Sequence, residues 1–476
     1  MMTEASSSNG SVPRLATKRT SSPHGRPEGQ LSLTDLRNLV KAGRIRTVLL
    51  ALPDLQGRLK GKWYDARHFL RNVAHDGAEF CAYLLATDVD MNPVPGFALA
   101  SWETGYQDLA VSPALSTLRT LPWMEGTAVV LGDAVHHDGT PIEVAPRQIL
   151  QGQLTRLARH GLHVKAGLET EFVLYQGTYA EVAGAGNQGL RPLTTENLDY
   201  ALDHPPGAHR FFRRLQRALA GAGLPLEAIK TEGAPGQVEV TFPYGGALAA
   251  CDGHLLFKHA VRVLGAGAGL APTFMASPET GIQSGLHLHV SLWRGGISQF
   301  NEPGDGGLSR IARQAVAGLV DALPELAPLY APNINSYKRF VSGTCAPTTM
   351  TWGYDNRTCA VRVVGHGERL HLEIRVPGAD ANPYLALSAA LAAIDHGVEQ
   401  QLALGAATTG NAHDADGVEV PSTLQEALHA FRNSALAEGA LGAEVVAHYA
   451  HLAQLEIEHH HGLVTDAERQ RWLARA

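Results

Sequence analysis

The sequence predicts a protein of two domains that mix helices and strands: a small α+β domain, then a larger domain that is α/β or α+β. Three observations support this prediction. The chain has 476 residues, more than one domain usually contains. Hydrophobic residues make up 45% of it, enough for a large core without cross-links. Short alternating stretches typical of strands recur between longer stretches of helical periodicity.

Composition divides the chain into a tail and two domains. Residues 1–30 are rich in Ser, Gly, Pro and Arg and contain almost no large apolar side chains, which predicts a disordered tail. The basic residues of the tail are either simply solvated or form a docking patch. We assign the first domain to residues 31–137. A linker with one glycine and two prolines then leads to the second domain, residues 143–476.

Capping, alternation and turn residues predict the elements of the first domain. Ser32 or Thr34 can cap a helix that runs to Val40. A strand, a turn of sequence DLQG, a second strand and a helix follow at residues 46–53, 54–57, 58–64 and 65–74.

The second domain is predicted to alternate helices with short strands. Helical periodicity is present at residues 148–160, 211–222, 252–266, 311–330, 383–402 and 424–450. Strand patterns are present at residues 164–175, 237–242, 285–293 and 371–376. No sequence repeat with a period of 20–50 residues is visible.

Charge and cysteine content argue against several classes of protein. The chain has 39 basic and 46 acidic residues, and a net charge of -7 does not suit a general nucleic-acid binder, which needs a basic stripe. The four cysteines lack C-x-x-C spacing, which excludes a disulfide framework and a thiolate zinc site and is typical of a reducing cytoplasm. No apolar run approaches the ~20 residues of a membrane span, and no signal-peptide core is visible. We therefore expect a cytoplasmic protein without nucleic-acid or membrane partners.

Strongly polar side chains interrupt four apolar strands of the second domain. Residues i and i+2 of a strand point to the same face, about 6.5–7 Å apart. Three strands carry polar pairs at this spacing, and a fourth carries a carboxylate that follows another by seven residues: Glu169 with Glu171, His287 with His289, Glu373 with Arg375, and Glu239 after Glu232. Their apolar neighbours predict that these side chains face an interior cavity.

Carboxylates and imidazoles on one inner surface require cations between them. Burying an unpartnered carboxylate is costly, and neighbouring carboxylates repel each other. Carboxylate oxygens with one or two imidazoles suit Mg²⁺ or Mn²⁺, and the lack of thiolates disfavours a structural zinc. Each pair alone is consistent with a solvent-facing strand edge. Four such strands together favour a site for two or more divalent cations.

Four arginines accompany these strands. Fixed guanidinium groups beside divalent cations are typical of phosphoryl transfer. The chain has neither a G-x-x-x-x-G-K-[ST] loop nor a kinase-type glycine-rich loop, so metals and arginines would have to hold a nucleotide. The four side chains are those of Arg339, Arg357, Arg362 and Arg375.

The motifs, in their order and at their distances, resemble the glutamine synthetase family from about residue 31 to 475. They are TLRTLPW at 117–123, GLETEFVLY at 167–175, EGAPGQVE at 232–239, TFM at 273–275, SGLHLHVSL at 284–292, NSYKRF at 335–340, NR at 356–357, EIRVP at 373–377 and ANPYLA at 381–386. The resemblance implies an α+β protein with an N-terminal β-grasp domain and a catalytic domain whose curved antiparallel sheet, flanked by helices, forms a funnel. It also implies a homo-oligomer, expected to be a dodecamer of two stacked rings, with active sites shared between neighbouring subunits.

The same resemblance implies a role for each polar residue. Glu171, Glu232 and Glu239 would hold a metal ion near the glutamate and the amine. Glu169, His287 and Glu373 would hold a metal ion that bridges the ATP phosphates. His289 would contact substrate or phosphate. Two arginines would bind L-glutamate and two would neutralise the transferred phosphoryl group, namely Arg339 and Arg375 for the first role and Arg357 and Arg362 for the second.

The implied reaction has two steps, and the residue at position 345 bears on the choice of the amine substrate. ATP would phosphorylate the γ-carboxylate of glutamate, and an amine would then attack the acyl phosphate. Ammonium-using family members place a glutamate where this chain has Cys345, and their Asp-Gly-Ser-Ser loop is replaced by EFCAYLL at 79–85. An uncharged thiol cannot attract NH₄⁺ as a carboxylate does. We therefore expect Cys345 to contact a primary organic amine, an alkyl or aryl monoamine more readily than a polyamine, beside an apolar wall formed by Phe80, Tyr83, Leu84, Leu85 and Trp352.

Several alternatives fit parts of the sequence. The enzyme could be a glutamine synthetase that uses ammonium or a γ-glutamylpolyamine synthetase, and turnover with ammonium against a panel of amines separates these activities. Paired histidines on a strand also occur in metal-dependent amidohydrolases, but there the pair opens the first strand of a barrel. A catalytically silent relative would be expected to have lost metal ligands, whereas all six are present here. Cys345 could also only fill space as a small hydrophobic residue.

Overall fold

The computed structural model describes residues 27–302 and 307–476. Residues 1–26 of the predicted tail lie outside the described residues. Gln30 forms an isolated antiparallel bridge with Arg119. Helix α1 (Leu33–Lys41) then begins after Ser32, whose hydroxyl accepts the backbone N–H of Asp35 at 3.1 Å, as the capping pattern predicts.

A six-stranded sheet forms the first part of the chain. Its strands are β1 (Thr47–Pro53), β2 (Leu59–Asp65), β3 (Ala78–Cys81), β4 (Asp108–Pro113), β5 (Arg119–Thr120) and β6 (Thr127–Val135), with short helices α2 (Ala66–His68) and α3 (Ala74–Asp76) after β2. The strand order is β2-β1-β6-β4-β3, with β5 paired to β6. Strands β1 and β6 are parallel. The side chain of Asp54 closes the β1–β2 turn by accepting the backbone N–H of Arg58 at 2.7 Å.

A ten-stranded sheet forms the centre of the remaining chain. Its strands are β7 (His163–Gln176), β8 (Ala228–Thr231), β9 (Gln237–Thr241), β10 (Gly245–Gly246), β11 (Leu270–Thr273), β12 (Leu286–Arg294), β13 (Ile297–Ser298), β14 (Trp352–Tyr354), β15 (Val361–Val364) and β16 (His371–Ile374). The main path is β14-β15-β16-β12-β7-β9-β8, antiparallel except between β14 and β15. Strands β10 and β11 pair with β7, and β13 pairs with β12.

Ten helices accompany this sheet in the described residues. They are α4 (Pro146–Arg159), α5 (Tyr179–Gly184), α6 (Pro206–Gly221), α7 (Ala247–Ala266), α8 (Arg310–Ala322), α9 (Pro383–Glu399), α10 (Leu424–Arg432), α11 (Ala435–Leu441), α12 (Ala443–His461) and α13 (Asp466–Trp472). Even-numbered residues of the central strands, among them Phe172 and Val238, pack in one core with Phe211 of α6 and Phe257 of α7. The odd-numbered residues of these strands therefore point to the other face of the sheet.

The predicted mixture of helices and strands is confirmed, but three predicted helices differ. The helix predicted at residues 65–74 consists of α2, a π-helical turn at Phe69–Val73 and α3. Helix α8 ends at Ala322, and residues 323–329 continue as a 3₁₀ helix, because Pro324 cannot extend an α-helical hydrogen-bond ladder. The single helix predicted at residues 424–450 is wrong: the segment forms α10, α11 and the start of α12. Ser434 caps α11 by accepting the N–H of Ala437 at 2.9 Å, and Gly442, with φ of 92°, separates α11 from α12.

Each helix of the described residues is either too short or too polar to span a lipid bilayer.

A buried histidine joins α12 to the first part of the chain. The ring of His448 lies 4.5 Å from that of Phe97, centroid to centroid, and only 4% of the residue is exposed. Burial lowers the pKa of His448 to about 4 from its ordinary value of 6.5. Between these pH values the unfolded chain binds a proton that the folded chain rejects. The contribution of His448 to stability is therefore fully present above about pH 6.5 and is lost as the pH falls toward 4.

Replacing His448 should reduce the acid sensitivity of the fold. Between about pH 7.5 and 5, titration of this one group should lower the free energy of unfolding of the wild type by about 2 kcal/mol. In His448→Gln we expect that part of the pH dependence to disappear from urea unfolding curves. His163→Gln changes an exposed histidine and should retain the wild-type dependence. A His448→Gln curve as sensitive to pH as the wild type would contradict the prediction.

Candidate active site

Strand register aligns the polar side chains across the inner face of the ten-stranded sheet. On one side of β7, Glu171 lies opposite Glu239 of β9, which in turn lies opposite Lys230 of β8. On the other side, Glu169 lies opposite His287 of β12. Directly opposed residues have Cβ atoms about 4.5–5.5 Å apart, so these side chains must interact.

The row continues across the outer strands. His289 of β12 lies opposite Glu373 of β16, and Glu373 lies opposite Arg362 of β15. The structure thus brings together residues from six neighbouring strands, in the order β15-β16-β12-β7-β9-β8, and from the segment that follows β8. The i, i+2 spacing predicts that the polar pairs point to the inner face of the sheet, and the strand register places them there.

The first cluster consists of three carboxylates. Oxygen atoms of Glu171, Glu232 and Glu239 lie within 4.8 Å of one another. Glu171 is held in place because its Oε2 accepts the backbone N–H of Gly285 at 2.8 Å and the side-chain amide of Gln237 at 3.3 Å. These contacts orient the carboxylate toward its two neighbours.

Burial and mutual repulsion make this first cluster costly without a cation. Burial, with Glu169 and Glu232 nearby, raises the pKa of Glu239 to about 10. Burial also raises the pKa of Glu171. The ammonium of Lys230 contacts Glu232 and lies 3.6 Å from Glu239, which offsets part of the negative charge.

The second cluster joins two carboxylates to an imidazole. Ligand atoms of Glu169, His289 and Glu373 lie within 4.8 Å of one another, and Nε2 of His289 is buried without a hydrogen-bond partner among the described residues. Nδ1 of His287 lies 2.8 Å from Glu169 and 3.6 Å from Glu373. Burial would raise the pKa of Glu169, but the hydrogen bond from His287 and the nearby imidazole of His289 keep that pKa below its usual value. Both histidines therefore face the carboxylates, and either imidazole lies close enough to complete the cluster.

Two arginines contact the deepest carboxylate. Arg362 donates to Glu373 Oε2 at 2.8 Å, and Arg375 contacts Oε1 of the same side chain. Burial opposes ionisation of Glu373, yet Arg375 and the neighbouring histidines and Arg362 lower its pKa to about 2. Glu373 is therefore a carboxylate over the physiological pH range.

A pair of buried guanidinium groups lies beside both clusters. Arg339 donates to the carbonyl oxygens of Val376 and Arg375 at 3.0 and 3.1 Å. The Nε atoms of Arg339 and Arg375 are buried and make no hydrogen bond within the described residues. Burial lowers the pKa of Arg339 to about 10, although Glu171 opposes that shift. Unsatisfied buried donors of this kind are suited to an anionic ligand.

Gly285 makes room for this arrangement. A Cβ atom at this position would lie 2.8 Å from Nη2 of Arg339 and 2.8 Å from Nε2 of His287. Its own N–H binds Glu171, so backbone movement to relieve these contacts would also displace that carboxylate. Only glycine fits between the arginine and the histidine.

Gly285→Ala should therefore damage the site far more than the fold. We expect the affinity for Mg²⁺ or Mn²⁺, measured by calorimetry, to fall at least about tenfold because ligand carboxylates move. Gly405→Ala, where a Cβ would meet nothing within 4 Å, is the matched control. Wild-type metal affinity in Gly285→Ala would show that the backbone adapts without disturbing Glu171.

Other residues expected at the site are not members of either cluster. Arg357 is exposed, and Cys345 is exposed on the loop between Arg339 and Trp352. Two members of the expected apolar wall, Phe80 and Leu85, are buried in the hydrophobic core.

Sequence reasoning missed three side chains of the site. Lys230 precedes Glu232 by two residues, and His371 precedes Glu373 by two residues. Gln237 precedes Glu239 in the same way. Nε2 of His371 lies 3.2 Å from Nδ1 of His289, so it orients that imidazole. The i, i+2 rule that identified the other pairs predicts these positions as well.

The donor sets fit divalent cations. Each cluster offers mainly carboxylate oxygens, and one adds imidazole nitrogen, which suits Mg²⁺ or Mn²⁺. The raised pKa of Glu239 and the unpartnered Nε2 of His289 are both relieved by a bound cation. The residues therefore fit the metal ions that their resemblance implies.

Comparisons with known proteins agree with this geometry. Residues 143–472 match the model of the glutamine synthetase catalytic domain. The gamma-glutamylethanolamide synthetase GlnA4 of Streptomyces coelicolor is 46% identical over 441 residues, 93% of this chain and 95% of that protein. The glutamate–isopropylamine ligase of a Pseudomonas species is 32% identical over 94% of this chain and 99% of that protein. A solved structure of GmaS in complex with ADP superimposes with a TM-score of 0.80 at 29% identity, covering 93% of this chain and 100% of that one.

A sheet that carries two carboxylate clusters beside buried arginines defines a class of metal-dependent enzymes that stabilise charge on transferred groups. The chain belongs to the glutamine synthetase family. Members of this family use ATP and divalent metal ions. The resemblance found in the sequence motifs is thereby confirmed.

Proposed function

We propose that this protein is an ATP-dependent ligase that joins the γ-carboxylate of L-glutamate to a primary organic amine. The observation that carries this proposal is the arrangement of two carboxylate clusters around the buried Arg339 and Arg375 on a glutamine synthetase sheet. Relatives that act on ethanolamine and isopropylamine support an organic amine over ammonia.

We assign the carboxylates to two metal sites. Glu171, Glu232 and Glu239 would hold one ion, and Glu169 and Glu373, with His287 or His289, would hold the other. Bound Mg²⁺ or Mn²⁺ supplies positive charge that stabilises the phosphoryl oxygens in the transition state. Metal affinities of His287→Ala and His289→Ala decide which imidazole is the ligand.

The nucleotide would enter a cavity next to the second cluster. This cavity has a volume of about 610 Å³ and is lined by Glu169, His289, His371 and Tyr244. Lys165 also lines it, with its ammonium 3.3 Å from the centroid of the Trp293 ring. The cavity thus combines a cation and aromatic side chains with a carboxylate of the second cluster, as suits a nucleotide whose phosphates lie at the metal site.

The arginines would act on the two anionic groups of the reaction. Arg339 and Arg375, with unsatisfied Nε–H groups, would bind glutamate, while Arg362 and the exposed Arg357 would neutralise the phosphoryl group. A γ-carboxylate oxygen attacks the terminal phosphorus of ATP and ADP leaves. The amine nitrogen then attacks the acyl carbon, phosphate leaves with the carboxylate oxygen, and the amine loses a proton.

Phosphate release in the presence of ATP, glutamate and a panel of amines tests the proposal. We expect organic monoamines, alkyl or aryl, to support faster turnover than ammonium, and mass spectrometry to detect the γ-glutamyl amide. Highest turnover with ammonium would instead establish a glutamine synthetase, and highest turnover with diamines or longer polyamines would establish a γ-glutamylpolyamine synthetase. Release of phosphate without any amide product would overturn the ligase assignment.

Cys345 is our candidate for amine selection. Its exposed position on a loop allows it to meet a substrate. Cys345→Glu should raise the ratio of kcat/KM for ammonium to that for an apolar amine about tenfold, because a carboxylate attracts a small cation. Ser342→Glu adds the same charge to the same exposed loop and serves as the control. An unchanged ratio in Cys345→Glu would exclude this residue as the determinant.

The family resemblance also leads us to propose a cytoplasmic homo-oligomer. A dodecamer of two stacked rings would complete each site with the N-terminal domain of a neighbour. In such an assembly the amine pocket would be formed partly by a second subunit.

A further inference from the structure

Helix α6 carries four arginines on its solvent face and no acidic residue. The four are Arg210, Arg213, Arg214 and Arg217, and all are exposed. Their spacing of three, four and seven residues keeps them on one side of the helix, where like charges repel. Within residues 27–302 and 307–476, none of the four guanidinium groups forms an ion pair or hydrogen bond. The described chain therefore leaves this repulsion uncompensated.

The arginine face forms one wall of a groove. The groove has a volume of about 920 Å³. Its opposite wall contains Pro122, Trp123 and Glu125, and Leu264 of α7 also lines it. The indole N–H of Trp123 donates to Nδ1 of His259 at 3.0 Å, which fixes that wall against α7. Among the residues that line the groove, Glu125 alone is acidic.

This groove is distinct from the candidate active site. Phe211 of α6 packs in one core with Val238 and Val240 of β9, while Glu239 between them faces the carboxylate clusters. Helix α6 therefore covers the face of the sheet opposite the clusters. A ligand in the groove would contact neither metal site nor the buried arginines.

We infer that the groove binds a small organic or inorganic anion with three or more negative charges. Guanidinium forks match the oxygen geometry of carboxylates and phosphates, and four of them converge here on a protein whose net charge is -7. From residue 210 to 217 the helix rises about 10 Å, so a small anion can contact arginines on adjacent turns of the row. Both kinds of anion carry negatively charged oxygens that guanidinium groups bind. A bound anion would relieve the repulsion between the arginines of α6.

Calorimetric titration of the full chain with pyrophosphate and, separately, with propane-1,2,3-tricarboxylate tests the inference. At an ionic strength of about 0.02 M we expect one site per chain for at least one anion, weakening as salt shortens the range of the charges. Arg213→Gln combined with Arg217→Gln should weaken that binding at least tenfold. Hydrogen exchange should also slow in peptides that contain residues 208–221.

A matched pair of substitutions separates a site from general attraction. Arg67→Gln combined with Arg71→Gln removes the same charge from exposed positions elsewhere and should leave binding unchanged. Comparable losses in both double variants would overturn the inference, as would failure of the wild type to bind either anion. Absence of binding together with a smaller sedimentation coefficient for the α6 variant would instead identify the groove as a contact between subunits. The relative affinities of the two probes decide whether carboxylate or phosphate is preferred.

Discussion

Glu171→Ala is expected to abolish turnover, lowering kcat by roughly a thousandfold or more. Glu171 is central to the first carboxylate cluster, directly opposite Glu239, and its oxygen binds the backbone of Gly285. Its removal takes away a proposed metal ligand and an anchor of the neighbouring loop. The apolar residues on the other face of β7 are untouched, so the circular dichroism spectrum should remain that of the wild type.

A second substitution separates charge from geometry at this position. Glu171→Gln retains an oxygen that can accept the N–H of Gly285 but removes the negative charge, and we expect it to be as inactive as the alanine variant. Glu444→Ala, which removes an exposed carboxylate from α12, should have normal activity. Wild-type turnover of Glu171→Gln at saturating Mg²⁺ or Mn²⁺ would remove the basis for a metal site here.

Arg339→Lys should lower kcat/KM for glutamate by about 10²-fold or more. The guanidinium of Arg339 uses two arms to bind the carbonyl oxygens of Val376 and Arg375 and keeps Nε–H free. A lysine ammonium is a point charge without this planar fork, so its three N–H groups cannot reproduce the spacing of the two carbonyl contacts and the free Nε–H donor. The measurement is steady-state kinetics with glutamate varied at fixed ATP and amine.

The corresponding control is Arg432→Lys, which changes an arginine that contacts α12 away from the clusters. Its kinetic constants should stay close to those of the wild type. A fall in kcat for Arg339→Lys with an unchanged KM for glutamate would assign the residue to the chemical step, and no change in either constant would exclude it from the site.

Strand periodicity explains why much of the site could be predicted. The alternation that sends Phe172 to one face sends Glu169 and Glu171 to the other, and no tertiary information is needed for that conclusion. Which strands become neighbours is different, because strand order depends on pairing between distant segments. The opposition of His289 to Glu373, and of Glu239 to Lys230, therefore became visible only in the structure.

Loops and helix ends were harder to predict for a physical reason. The segment 424–450 keeps its apolar periodicity while Ser434 and Gly442 interrupt the backbone, so the hydrophobic pattern alone predicted one helix. The stretch 79–85 was expected to form an apolar pocket wall because it replaces the Asp-Gly-Ser-Ser loop of ammonium-using family members. Phe80 and Leu85 are apolar because they belong to the core of their own subunit. Hydrophobicity alone does not distinguish a residue of the core from a residue that lines a pocket.

The spread of the two clusters along the chain has a consequence for folding. Glu169 and Glu373 belong to one cluster but are separated by roughly 200 residues, and β12 must pair with both of their strands before they meet. Contacts between such distant segments form slowly, because a long loop must close first. While the sheet is incomplete, each acidic strand keeps its charges in water and apart from the others. Divalent cations that bind only the completed sheet would therefore stabilise the last stage of folding, and a chelator would act as a denaturant of that stage.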